Sequence, residues 1–136
     1  MILADQWRAQ ALGYAGDPNV KTPHLDALQR EGIHFVNAVS GVPVCCPMRA
    51  SLLTGQRALT HGVFLNDVPL APAAVTLAKV LGRAGYDTGY IGKWHLNGEF
   101  NQPTQPQPGD HGFDHWFSTQ NNALPNHRNP ENFVRN

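Results

Sequence analysis

The chain has 136 residues, 41% hydrophobic and only 15% charged, with ten basic and ten acidic side chains that give a formal net charge of zero. That length holds one compact domain or a portion of a larger one, and so little charge is expected of a surface that further protein covers. No basic cluster invites nucleic acid, and no apolar run approaches the roughly 20 residues that span a bilayer, so neither is expected as a partner.

Met1-Ile2-Leu3-Ala4 reads as the end of a buried strand, with Asp5 at its carboxyl edge. Gly13 to Val20 is a loop punctuated by Gly13, Gly16 and Asp17-Pro18. Thr22-Pro23 then starts a helix, Thr22 as N-cap and Pro23 in the first turn, which Gly32 stops. Ile33 to Val36 is a strand candidate. After a loop from Gly41 to Cys46, Pro47 opens a second helix that Thr54-Gly55 ends. A third helix is expected over Ala73 to Arg83 and a strand over Tyr86 to Ile91, with Gly92-Lys93-Trp94-His95 leaving its carboxyl end. Helices alternating with strands predict an α/β class with a mainly parallel sheet. From about residue 97 the chain becomes proline-rich and irregular, as in Gln102 to Gly109 and again around Gln120, Asn121, Asn122 and Asn126. It reads there as a loop-rich excursion with a short element around Phe113 to Phe117. No internal repeat is present.

The two cysteines, Cys45 and Cys46, are adjacent, which does not suit a disulfide framework. Met1 to Trp7 shows no basic region followed by a long apolar stretch, so no signal peptide is read; the cytoplasm is the default location, and export stays open if the natural N-terminus lies upstream.

The segment Cys45-Cys46-Pro47-Met48-Arg49-Ala50-Ser51-Leu52-Leu53-Thr54-Gly55 is the most informative. A helix begun by Pro47 presents unpaired N–H groups and a partial positive charge at its start, an environment that stabilises an anion at position 45. Arg49 in the first turn opposes that end of the dipole, so an anionic neighbour is expected. Spacing alone equally allows a buried small Cys45 and a surface Arg49.

Cys45-x-Pro47-x-Arg49 followed by Leu53-Thr54-Gly55 resembles the signature of the type I, formylglycine-dependent sulfatases of the alkaline phosphatase superfamily. The resemblance implies a partial three-layer α/β/α alkaline-phosphatase-like fold. It also implies that a formylglycine-generating enzyme converts Cys45, with Cys46 in the variable position and Met48 where a small hydroxyl residue is common. Hydrated formylglycine is a geminal diol: one hydroxyl attacks sulfur, and the other then loses its proton as the diol collapses to the aldehyde and expels sulfate. A divalent ion and nearby cations would neutralise the sulfate oxygens.

Gly85-Tyr86-Asp87-Thr88-Gly89-Tyr90-Ile91-Gly92-Lys93-Trp94-His95 is similar to the second signature of the same family. An extended backbone would put Lys93 and His95 on one face. By the resemblance Lys93 bridges sulfate and formylglycine, and His95 hydrogen-bonds a diol hydroxyl and helps its collapse; without it they are a surface lysine and a loop histidine. Asp5 suits a hard cation, Ca2+ or Mg2+. Gln6 stands where many sulfatases have a second aspartate and offers an amide oxygen, and the residue formed from Cys45 completes this chain's implied metal ligands. Asn66, 21 positions after Cys45, resembles a substrate-oxyanion contact, with a turn-forming role as the alternative. His61 reads as structural, and His24, His34, His111, His115 and His127 take surface or capping roles by default.

The resemblance covers nearly the whole chain, with the core motifs in 1–96 and the excursion in 97–136, and it implies the N-terminal part of a truncated catalytic domain. The remaining metal ligands have no counterpart here; Gly109-Asp110-His111-Gly112 follows the second signature too closely to be them. The function implied is hydrolysis of sulfuric esters, of a small molecule or a carbohydrate, incomplete and inactive in this fragment alone. The competing readings are a phosphonate or phosphodiester hydrolase of the same superfamily, whose members tend to replace the Lys-x-His pair, and an inactive remnant.

Overall fold

The computed structural model describes residues 1–98, 104–119 and 133–135. Two compact units divide at the Ala38–Val39 link.

The first unit, Met1–Ala38, holds helix α1 (Pro23–Glu31) and a 3-10 turn at Gly13–Ala15. Helix α1 starts and stops where Pro23 and Gly32 were expected to set it. Thr22 is its N-cap residue, but the hydroxyl makes no capping bond: it accepts from Gly13 N at 2.8 Å and donates to Asp26 Oδ1 at 2.7 Å. Asp26 Oδ1 in turn accepts from Tyr14 N at 3.1 Å. Thr22 and Asp26 therefore tie the glycine loop onto the first turn of the helix. The approach is so close that a Cβ at Gly13 would lie 2.8 Å from Asp26 Oδ2. The two strands expected in this unit are not formed: 1–4 and 33–36 join no sheet. Apolar character records a demand for burial, whereas a strand also needs a neighbour for its backbone donors and acceptors. Ile2, Ile33, Phe35 and Val36 are largely exposed.

The second unit, Val39–Asn136, holds α2 (Cys45–Thr54), α3 (Ala58–His61), α4 (Leu77–Arg83), β1 (Gly89–Lys93), β2 (His115–Thr119) and β3 (Phe133–Arg135). Helix α2 begins two residues before the expected Pro47, so Cys45 is its first residue. It ends at Gly55, whose φ of 68° lets its N–H reach Ser51 O. Helix α4 begins four residues later than expected. Ala73 and Val75 lie ahead of Thr76, whose hydroxyl caps the helix by accepting from Lys79 N.

Strand β1 pairs parallel with β2, Gly89 opposite His115, and β2 pairs antiparallel with β3. The α/β class holds, and the strand order is β1-β2-β3. Strand β1 runs two residues further than expected, to Lys93, and the short element expected around 113–117 is β2. Thr88 and Asp114 lock the start of the parallel pair: Thr88 N donates to Asp114 Oδ2 at 2.8 Å, and Asp114 N donates to Thr88 Oγ1 at 3.2 Å. Accepting from Thr88 N, and from Thr88 Oγ1 at 2.9 Å, holds the Asp114 carboxyl below its ordinary pKa. The pairing continues past β1, where Trp94 N donates to Thr119 O. The core joins Cys46, Ala50 and Leu53 of α2 to Val63, Leu70, Trp94 and Leu96, with Tyr90 and Phe113 packed against them. Cys46, Ala50 and Leu53 recur at helical spacing, which is why one face of α2 is buried.

Within the proline-rich excursion, Pro108–His111 is a 3-10 turn closed by Asp110, whose carboxylate accepts from Gln107 N at 2.7 Å. Asp110 thus has a local structural task. The residues noted at 120–122 and 126, and His127, lie outside the described residues. His111 corrects the expectation of a surface role. It is fully buried, its ring 5.2 Å from that of Trp94, and among the described residues neither ring nitrogen has a hydrogen-bond partner.

Burial first, and Lys79 second, push the His111 pKa down to about 4. The group is protonated near 6.5 once unfolded, so the unfolded chain binds the extra proton between those values. Stability is therefore full above about pH 6.5 and falls as pH drops toward 4, by about 3 kcal/mol from this residue at roughly 1.4 kcal/mol per unit. Urea midpoints at pH 7 and pH 5 are expected to differ, and the difference should shrink in His111→Phe. An equal pH dependence in both proteins would contradict this account.

Candidate active site

The expected site residues of the second unit meet where the start of α2 faces the exit of β1. Cys45 is the first residue of α2, half-buried, where the unpaired N–H groups of the helix concentrate positive potential. Val44 precedes it and has no side chain able to cap. The cap comes from 20 residues on: Asn66 Oδ1 accepts from Cys46 N at 3.0 Å. Asn66 was expected as a substrate contact or a turn residue, and here its oxygen completes the first turn of α2.

Lys93, the last residue of β1, reaches back across this tip, its Nζ 3.4 Å from Cys45 Sγ. Arg49 lies one turn into α2 and is buried. Its Nη1 donates to Lys93 O at 2.6 Å and to Tyr90 OH at 3.3 Å. Tyr90 OH also donates to Lys93 O. The guanidinium and the phenol therefore grip the main chain of Lys93 while its side chain turns toward residue 45. With α2 starting at Cys45, Arg49 falls just past the first turn expected for it, and it serves as a cross-link from helix to strand end.

His95 follows β1 and does not continue the strand, because its φ is +52°. The expectation that strand alternation puts Lys93 and His95 on one face is thus replaced by a left-handed turn. A histidine in that region is uncommon and marks a backbone held by its surroundings. His95 is buried, with its Nε2 3.7 Å from Asp67 Oδ1. Its pKa is lowered first by burial, then by the Lys93 charge, with Arg49 adding to it, and Asp67 opposes these. The imidazole is consequently neutral near pH 7 and able to accept a proton. Burial raises the thiol pKa of Cys46, the other cysteine, which keeps it a core residue.

Two members of this cluster, Tyr90 and Asp67, were not singled out from the sequence. Tyr90 sits within the second signature, three residues before Lys93, where a strand residue facing the helix could have been suspected. Asp67 lies next to Asn66 and gave no periodic signal. His61 is structural as expected. Val63 N donates to its Nδ1, so Nε2 carries the proton and donates to Ser51 Oγ at 3.0 Å.

Asp5 and Gln6 belong to the first unit. Gln6 has a φ of +54°, the third non-glycine residue in the left-handed region beside Asp67 and His95. A carboxylate and an amide oxygen suit a hard cation, but such an ion takes six or more oxygens. Among the described residues no group of three His, Cys, Asp or Glu side chains could hold a metal. The donors seen here therefore do not by themselves make a complete cation site. No helix among the described residues is long and apolar enough to cross a membrane.

Comparison with known proteins gives consistent matches. A family model described as Sulfatase matches residues 1–135. An Ulvan-active sulfatase of Formosa agariphila is 56% identical over 115 residues, covering 85% of this chain and 22% of that protein. Among solved structures, Ps i-CgsB matches with a TM-score of 0.80 and 26% identity, covering 99% of this chain and 35% of its own. BT4656, in complex with its substrate D-glucosamine-2-N,6-O-disulfate, matches with a TM-score of 0.67 and 35% identity, covering 81% and 20%. A phosphonate monoester hydrolase of Agrobacterium radiobacter shares the fold with a TM-score of 0.64 and 29% identity, covering 86% and 24%. The chain spans between a fifth and a quarter of the length of the curated relatives it matches.

Proposed function

We propose, from the premise that the chain belongs to the sulfatase family, that it carries the nucleophile segment of a sulfuric ester hydrolase. It is read as the N-terminal part of a longer catalytic domain, with its motifs in 1–96. The observation that carries the reading is the Lys93 ammonium 3.4 Å from Cys45 Sγ at the start of α2, between the two matched signatures.

In this reading a formylglycine-generating enzyme converts Cys45, and the hydrated side chain is the nucleophile. The Cys45 sulfur atom marks where its oxygens would lie. The helix start and Lys93 favour negative charge there, which lowers the cost of ionising one hydroxyl and of bringing a sulfate group alongside. Neutral His95 takes the proton of the second hydroxyl as sulfate leaves. Arg49 and Tyr90 fix the main chain from which Lys93 projects, and the Asn66 amide nitrogen offers a donor to a sulfate oxygen. By the same resemblance Asp5, Gln6 and residue 45 would be ligands of a Ca2+ or Mg2+ ion, with further ligands required from elsewhere. Such an ion would supply charge neutralisation.

A sulfated carbohydrate is the substrate class best supported, since BT4656 was solved with a disulfated glucosamine as its substrate. The phosphonate alternative shares the fold, but Lys93 and His95 favour sulfate. The test uses the longest natural chain carrying this sequence, co-expressed with a formylglycine-generating enzyme. A mass loss of about 18 Da at Cys45 is expected, together with faster turnover of an aryl sulfate than of a phosphonate monoester. Faster phosphonate turnover would reverse the assignment, and an unmodified Cys45 under those conditions would favour an inactive remnant.

A further inference from the structure

The Asn66-Asp67 pair bridges the two halves of the site. Asn66 caps α2 at Cys46, while the next residue turns through φ +64° and brings Asp67 Oδ1 to 3.7 Å from His95 Nε2. His95 is itself left-handed, and its side chain is only 6% exposed against 71% for Asp67. Two non-glycine residues in sparsely populated backbone conformations thus present a carboxylate to one nitrogen of a buried imidazole. The charged groups acting on that ring are Lys93, Arg49 and Asp67, and of these the carboxylate alone can accept a hydrogen bond. A neutral imidazole has one N–H and one lone pair, and whichever nitrogen faces an acceptor keeps the proton.

We infer that Asp67 is a positioning residue for His95, holding the ring proton on Nε2 so that the Nδ1 lone pair is the one available to the reaction. The inference rests on the proposed sulfate-ester chemistry of the same site. In the step concerned, Nδ1 takes the proton of the free hydroxyl of the sulfated hydrate. The O–H electron pair becomes the second C–O bond of the aldehyde, and the bond from carbon to the bridging oxygen breaks, with its electrons leaving on sulfate. His95 ends as imidazolium, with Asp67 beside it to offset the new charge. Among the described residues neither ring nitrogen of His95 makes a hydrogen bond; the 3.7 Å separation exceeds one, and a small rotation of the exposed carboxylate or one bridging water would close it.

The experiment compares the parent protein, Asp67→Ala and Asp67→Asn, each in the longest natural chain with Cys45 converted. Nitrogen NMR of the His95 ring gives the tautomer independently of turnover. The parent is expected in the Nε2-protonated form, Asp67→Ala in a mixture of both forms, and Asp67→Asn closer to the parent because its amide oxygen still accepts. In Asp67→Ala, kcat for an aryl sulfate should fall roughly tenfold to a hundredfold while KM changes little, with Asp67→Asn partly restored. An unchanged tautomer in Asp67→Ala would overturn the inference whatever happens to kcat. If the parent has the stated tautomer, lost in Asp67→Ala, but turns over no sulfate ester, the positioning stands and the proposed function fails.

Discussion

Cys45→Ala is expected to abolish sulfate-ester turnover in the longest natural chain, by roughly 10^4-fold or more, while leaving the fold intact. In the proposed mechanism the size follows from removing the group that would form the covalent intermediate: the remaining residues could still bind and polarise a sulfate, but nothing would attack sulfur. Stability should change little. Position 45 is half-buried at a helix tip, and the packed face of α2 begins at Cys46. Alanine is a good helix former, so the first turn and its Asn66 cap persist. Two measurements separate the outcomes: thermal melting should show a midpoint within a few degrees of the parent, and initial rates with an aryl sulfate should fall to background. Retained turnover in a properly folded Cys45→Ala protein would remove residue 45 from the mechanism.

Arg49 gives the second large effect, and two substitutions divide its roles. Its guanidinium is buried and donates to Lys93 O and Tyr90 OH. Arg49→Ala removes those bonds and opens a cavity beside the core, at an expected cost of about 2–4 kcal/mol. Arg49→Met keeps most of the volume and brings no charge to desolvate, so its stability should lie much nearer the parent. Activity should not follow stability. Both variants release the Lys93 main chain from the helix, so both should lose roughly a hundredfold or more in kcat/KM through misplacement of the ammonium. Urea melts and aryl sulfate kinetics on the two variants check this. An Arg49→Met protein as active as the parent would show that Arg49 matters only for packing.

The parts of the fold that could be read from the residues are those governed by local chemistry. Pro23 and Gly32 bound α1, and Gly55 ends α2, because these residues act on their own backbone. The start of α4 was misplaced because Ala73 and Val75 look helical by composition, while the deciding interaction is the hydroxyl of Thr76 on Lys79 N. The strands expected at 1–4 and 33–36 failed for a different reason: pairing depends on a second segment that local sequence does not specify. In the site, Cys45, Arg49, Lys93 and His95 were singled out through their signatures, and the structure brings Lys93 Nζ to 3.4 Å from Cys45 Sγ. His95 arrives through a left-handed turn that strand periodicity could not anticipate. The burial of His111 was missed because its ring packs, tilted, against Trp94, 17 positions before it in the chain.

The cap that Asn66 lends to α2 makes the seat of residue 45 conditional. Val44 offers the first turn its carbonyl but no side-chain cap, so a peptide cut from this region would hold its helix poorly, and residue 45 would sit in an ordinary flexible stretch of chain. During synthesis the cysteine leaves the ribosome well ahead of the asparagine that later clamps its neighbour. Order at that sulfur thus arrives late, as a by-product of long-range closure, and any lesion that loosens residues 65–68 should be felt first as slackness at position 45.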